Sequence, residues 1–278
     1  LREVVANHVI PAIGQALARE GLAEPRSLLG QLFGRDSIGM SQEDRNTRVR
    51  LVRQIAVPVA LGLLATCENP DLRGANFSCS LGAFFEPDPV ADAAAAESAT
   101  DASAQAAAGF SPAVLAPRPQ PATLRDVASM VRRSASFIQN FNILDVPISV
   151  NQAAVEETIR STLGPTLSAL CEVVHMYDCD VLLLTGRPSS WNGVIATVLA
   201  KLPVPPDRII PMRRYHAGSW YPFADAQGRI TDPKTTVVVG AILCALADGH
   251  LEGFSFDSGA LKLTSTARYI GEMDINSQ

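Results

Sequence analysis

Residues 180–191, DVLLLTGRPSSW, carry an apolar run straight into Thr185, Gly186, Arg187, Pro188 and Ser189. Ligands of open α/β sheets sit beyond the carboxyl ends of the strands, so the residue types at this point matter. Glycine lets a backbone approach a bound group closely, and arginine pairs with phosphate or carboxylate oxygens. The stretch Thr185, Gly186, Arg187, Ser189 therefore asks what this protein holds at the strand end. Arg50 and Arg53, three apart on one helix face, can stack on a base or pair with phosphate or ribose oxygens. Their other use is a solvated face beside Glu43 and Asp44. A third group is RYHAGSWYPFADAQGR, residues 214–229, where His216, Trp220 and Tyr221 stand among Arg213, Arg214 and Arg229. Aromatic and arginine side chains so mixed suit a lip over a pocket or a protein contact, and equally a plug for the edge of a core. His8, His175 and His250 lie at no metal-ligand spacing from one another or from cysteine, and no GxSxG or GxGxxG occurs.

These residues need a scaffold, and the hydrophobic pattern supplies one. The spacing predicts a helix over 4–17 that bends or restarts at Pro11, and a long helix after the N-cap candidate Ser41, polar first and apolar later. NFSCSLGAFF, 76–85, alternates as a strand, and TLRDVASMVRRSASFIQNF reads as an amphipathic helix. NILDVPISV is a strand that Pro147 confines to an edge or a bend. A helix over 151–177 kinks at Gly164 and Pro165. DVLLLTG then reads as a strand covered on both faces. A helix over 191–202, the strand DRIIPM and a helix capped by Asp232 with Pro233 at its first position follow, Gly240 giving that helix room for close packing. LEGFSFDSGALKLTSTARYIGEMD, 251–274, reads as a β-hairpin. Helices alternating with apolar strands imply an α/β core with a largely parallel sheet.

Composition sets bounds on function. The chain has 278 residues, 47% of them hydrophobic, enough for a sizeable core. A formal charge of -5, with basic residues scattered apart from the arginines of 45–53, argues against a nucleic-acid partner. Five cysteines without a CxxC pair read as reduced, mostly buried thiols. The apolar run IAVPVALGLLA is too short to span a bilayer, and the opening helix reads as one entered part-way through a longer polypeptide. Residues 87–121, rich in Ala, Ser, Asp and Pro, form a low-complexity insertion expected to be disordered and removable without loss of the fold.

ISVNQAAVEETIRSTLGPTLSALCE, DVLLLTGRPSSWNGVIATVLAKL and DPKTTVVVGAILCALA, in this order, resemble the closing half of the actin-like ATPase fold shared by heat-shock chaperones, actin and sugar kinases. LREVVANHVIPAI resembles the helix after the second phosphate loop of that fold, and RNTRVRLVRQIAVPVALGLL its basic upper-lobe helix. More narrowly, TGRPS, RYHAGSWYPF, GRITDPKTTVVVGA and LKLTSTARYIGEMD resemble the C-terminal part of the SrfB family of bacterial virulence-associated proteins. The resemblance implies the C-terminal lobe of an actin-like ATPase, a mixed sheet flanked by helices. Residues 1–30 and 151–250 would form its lower subdomain, 31–150 a helical and β upper subdomain, and 251–278 a hairpin extension. It implies a bacterial cytoplasmic setting and ATP or ADP with Mg as cofactor. Adenosine contacts would fall to Thr185, Gly186, Arg187, Ser189, Arg50, Arg53 and Gly240, with the upstream lobe of the same polypeptide as partner. Where the superfamily usually has two adjacent glycines, this chain has Gly186 followed by Arg187. Both phosphate loops of that fold lie upstream of the equivalent of Leu1, so the expectation is half a cleft without hydrolysis of its own. The rival expectation is a nucleotide-independent interaction module that meets a protein through Arg213, His216, Trp220 and Tyr221.

Overall fold

A computed structural model describes residues 1–36, 38–69, 72, 74–87 and 115–247. The expected hairpin over 251–274, His250 and most of the Ala-rich insertion lie outside the described residues. The chain divides into two compact units, Leu1–Arg213 and Arg214–Gln278.

Unit 1 is built on two interrupted helices. The first comprises α1 (Arg2–Val4), a π-turn (Val5–Val9) and α2 (Ile10–Arg19); the second comprises α4 (Gln42–Leu51), a π-turn (Val52–Ala56) and α5 (Val57–Thr66), with α3 (Pro25–Phe33) between them. Each π-turn immediately precedes an α-segment whose second residue is proline, Pro11 or Pro58. Proline lacks an N–H and its ring clashes with the carbonyl four residues back, and the wider turn relieves both problems. The first helix therefore continues where the sequence suggests a bend or restart at Pro11, and the second runs on through Pro58 as one long helix. Ser41 caps α4 as expected, its Oγ accepting from the Asp44 N–H at 3.1 Å.

The continuity corrects the expectation that no segment is long enough to span a bilayer. By length and composition alone, Gln42–Thr66 is sufficient, an 18-residue stretch within it reaching a mean hydropathy of 1.5. In this structure its Leu51, Ile55, Ala56, Val59, Ala60 and Leu63 are fully buried in the core.

That core also takes Ile13, Leu17, Leu32, Leu81, Phe84, Ile143 and Ile148, none more than 2% exposed. Among the described residues its members range from Val4 to Val194. The strand expected over 76–85 is half strand: β1 (Asn76–Ser80) gives way to a 3₁₀ turn that buries Phe84. β1 pairs antiparallel with β2 (Pro147–Asn151), and Pro147 is the first residue of this two-stranded ribbon, where its missing N–H is harmless. α6 (Pro121–Ser134) is shorter than its amphipathic pattern and ends before Phe137. α7 (Gln152–Met176) starts at the cap Asn151, whose Oδ1 accepts from Ala154 N–H, and runs through Gly164 and Pro165 without interruption.

A second, smaller core of Cys171, Val198, Leu202 and Ile209 joins α7 and α8 (Asn192–Lys201) to β3 (Leu182–Leu184) and β4 (Ile209–Pro211). β3 and β4 are parallel, Leu182 opposite Ile209. Among the described residues they are the whole of the parallel sheet, and two separate strand pairs stand in place of the expected mixed sheet. Leu183 is 59% exposed, so β3 is covered on one face only, against the expectation from its continuous apolar run. In unit 2, α9 (Thr235–Leu246) begins two residues later than its sequence signal; Asp232 caps the preceding turn by accepting from Lys234 N–H. Gly240 in α9 has no described residue within 4 Å of a hypothetical Cβ, so no close packing there requires glycine.

The insertion is closed at its base. Phe85 and Ala116 form a parallel bridge, Glu86 N–H donating to Ala116 O at 2.8 Å and Ala116 N–H to Phe84 O at 2.9 Å. Pro119 beyond it is buried, so residues 115–121 belong to the fold rather than to the insertion. Excising only 88–114 and bridging the ends with a short Gly-Ser linker shortens a closed loop, whose entropy varies slowly with length. Thermal unfolding is expected to stay within about 2 °C of the parent, under about 1 kcal/mol for a chain this size; a larger drop makes the segment structural.

His8 ties the first π-turn to α7. Thr158 Oγ1 donates to Ala154 O, so it accepts from His8 Nε2–H at 2.9 Å. Partial burial lowers the His8 pKa below 6.5, favouring the neutral ring in the fold. The unfolded chain then binds a proton first on acidification, so stability is full above about pH 6.5 and falls with pH until the folded value is passed. Denaturation midpoints between about pH 8 and pH 5 are expected to show this slope, and His8→Gln, which keeps a donor to Thr158, to flatten it. An unchanged slope in the variant removes His8 as its source.

Candidate functional site

The carboxyl ends of β3 and β4 lie side by side, Met212 N–H donating to Leu184 O at 2.8 Å. Two connections therefore emerge together: Thr185–Ser190 after β3, and Met212–Arg213 after β4. Gly186 adopts φ 78° and ψ 159°. Only glycine populates this region without strain, and a Cβ there would meet nothing nearer than Pro188 Cδ at 3.9 Å. The requirement at Gly186 is conformational, not spatial. Any L-residue there would strain the turn under either functional reading, so this position cannot separate them.

Ser189 and Arg187 are used by the protein itself. Ser189 is 4% exposed, and its Oγ donates to Gly186 O at 2.7 Å, closing the 3₁₀ turn Arg187–Ser190. Arg187 Nε donates to Glu68 Oε1 at 2.7 Å. Thr185 is exposed at the strand end.

Glu68, just past the end of α5, was not among the residues the sequence singled out. Its side chain is 16% exposed and faces a second guanidinium, Arg213 NH1 lying 3.5 Å from Oε2. That contact is an ion pair without a hydrogen bond, and Arg213 NH1 is buried with no hydrogen-bond partner. Trp191 Nε1, four residues beyond Arg187, is a second buried donor without one. Close by, Asn192 Nδ2 donates to Glu156 Oε1 at 3.5 Å, fastening α8 to α7. Cys67, beside Glu68, has its thiol pushed up to about 12 by burial first, with Glu156 and Glu68 adding to the rise, so it is an inert thiol. The other free cysteines range from buried Cys171 to exposed Cys179.

Arg50 and Arg53 are not brought to this loop. They sit in α4 and the second π-turn, about 20 Å back along the helix that ends beside Glu68, at about 1.5 Å per residue. Arg50 NH2 donates to Asp126 Oδ2 at 2.7 Å and pins α4 to α6. Arg53 is exposed. Gly240 belongs to the second unit.

Unit 2 divides the aromatic loop between its two expected uses. Tyr221 is 5% exposed and its hydroxyl lies 2.7 Å from Thr235 Oγ1, so it is core. Trp220, at 60% exposure, and Phe223, at 47%, meet the Tyr221 ring edge to face from either side. Asp225 Oδ1 accepts from the Gln227 and Arg229 amides, and His216 bridges to Arg229, which fixes the loop that carries these rings.

A pocket of about 530 Å³ lies elsewhere in unit 1, between the two π-turns and the end of α3. Val5, Ile10, Phe33, Val52 and Val57 are among its lining residues, and no sequence-predicted site residue is.

No curated protein and no solved structure matches the chain. The family described as virulence factor SrfB matches residues 1–278, so the chain, with its Gly186 turn at the ends of a parallel strand pair, belongs to the SrfB family.

Proposed function

We propose that this chain supplies the adenosine-side wall of a nucleotide site in an actin-like ATPase domain of an SrfB protein. The observation that carries this reading is the glycine-only turn at Gly186, set at the carboxyl ends of two adjacent parallel strands and leading into α8. Ligands of α/β proteins gather at such ends, and helix N-termini favour their negative charge. Thr185 is exposed there, and Arg187 and Arg213 bring two guanidiniums to the same point.

The residues fit a nucleotide only if Arg187 leaves Glu68, because the pair closes the loop as it stands. Magnesium finds no free carboxylate in this loop, Glu68 being engaged by two arginines. The metal and the groups that act on the phosphates belong to other parts of such a site. The chain alone is accordingly a binding element and not a hydrolase. Cytoplasmic location in a bacterium goes with the same reading.

Calorimetry with ATP and ADP, with magnesium, on this chain and on a form extended upstream tests the proposal. Binding that Arg187→Ala weakens about tenfold is the expected result. Absence of binding by both folded forms overturns it. The second reading, a protein-contact module, draws on the exposed Trp220 and Phe223 braced by Tyr221. Loss of a partner on Trp220→Ala without loss of thermal stability is its signature.

A further inference from the structure

We infer that Glu68 is a built-in occupant of an anion site formed by Arg187 and Arg213, and that a phosphoryl group enters by displacing it. The inference rests on the nucleotide reading of the Gly186 turn and names the residue that gates it. A single carboxylate stands between two guanidiniums. Arg187 makes the one good hydrogen bond, at 2.7 Å, while Arg213 NH1 remains at 3.5 Å without one. Buried donors are almost always paired, and Arg213 NH1 is not. A carboxylate brings one negative charge and two oxygens to this cluster. A terminal phosphoryl group brings more charge and three oxygens, which suits two arginine forks better.

Glu68 is also placed to leave. It follows the last turn of α5, held by turn hydrogen bonds from its own N–H to Ala65 O and from Asn69 N–H to Thr66 O. Rotation of its side chain moves the carboxylate without disturbing the helix. Arg187 has 41% of its side chain exposed, so it can be reached from outside. Departure of Glu68 without replacement would leave two like charges facing each other in a partly buried space. Opening and anion binding are therefore coupled.

The test compares the full 278-residue chain with Glu68→Gln and Glu68→Asp, titrated with inorganic pyrophosphate and with ADP at fixed ionic strength. Glu68→Gln is expected to bind pyrophosphate at least about tenfold more tightly than the parent, and Glu68→Asp, with its carboxylate drawn back one methylene, to fall between. Pyrophosphate should raise the melting temperature of Glu68→Gln and barely move the parent, because ligand binding stabilises only the state that binds. Adding Arg187→Ala to Glu68→Gln should cancel the gain. Equal affinity in all forms, or no binding by folded Glu68→Asp, overturns the inference; Glu68→Asp decides if Glu68→Gln does not fold. ADP binding that is the same in parent and variants upholds the nucleotide reading and removes Glu68 from it. A gain for pyrophosphate without any binding of ADP keeps the anion site and removes the nucleotide reading.

Discussion

Gly62→Ala is expected to lower stability by about 3 kcal/mol, a fall of roughly 6–12 °C in melting temperature. In isolation the change favours a helix by about 1 kcal/mol, because alanine is the best helix former and glycine among the worst. Packing reverses the sign. Gly62 is buried in α5, and a Cβ there would stand 2.8 Å from Phe84 Cε1 and closer still to Cδ1. Phe84 is 1% exposed and cannot swing into solvent without giving up its burial, worth about 3–5 kcal/mol by truncation. Thermal unfolding of Gly62→Ala, Phe84→Leu and the double variant measures the coupling. The double variant should be more stable than the sum of the single losses, since the smaller side chain makes room. A drop under about 2 °C for Gly62→Ala alone removes the clash from the account.

Gln152→Met should cost about 2–3 kcal/mol, although the side chains are similar in volume. Gln152, the first residue of α7, is fully buried. Its Oε1 accepts from Gly74 N–H at 2.6 Å and its Nε2 donates to Thr66 O at 3.0 Å. Its own N–H donates to Ala75 O. One side chain thus joins the end of α5, the turn before β1 and the start of α7. Methionine strands the buried Thr66 acceptor at about 1–3 kcal/mol, while the N–H of Gly74, an exposed residue, can turn to water. Because Thr66 immediately precedes Cys67 and Glu68, the same change should loosen the Glu68 carboxylate. Urea denaturation gives the stability; a loss under about 1 kcal/mol would mean that water replaces the missing bonds.

The sequence made local matters visible. The Ser41 cap, the edge placement of Pro147, the strand before Gly186 and the helix after it all follow from residues within a few positions of one another. Partners distant in the chain left no trace in it. Arg50 looks like a ligand until Asp126, 76 residues on, accepts its hydrogen bond. Arg187 likewise ends on Glu68, 119 residues back. Glu68 itself has no neighbours in sequence that mark it, and only the fold brings it between two arginines. The apolar run of β3 promised two covered faces, yet Leu183 is open among the described residues because one helical layer packs on a two-stranded sheet. Pro11 reads as an interruption since a period of 3.6 residues has no place for a wider turn.

The two π-turns carry a consequence for how this chain can change over generations. A π-turn takes up one residue more than an α-turn, so each marks a place where the helix holds a spare position. Loss of one residue from 52–56 would return the turn to α geometry and leave α4 and α5 in register, with Arg50 still against Asp126, but would bring the Pro58 ring back against the carbonyl four residues before it. Length differences among descendants of this chain should accordingly fall in the Ala-rich insertion, whose two ends are already joined, and reach a π-turn only together with replacement of its proline.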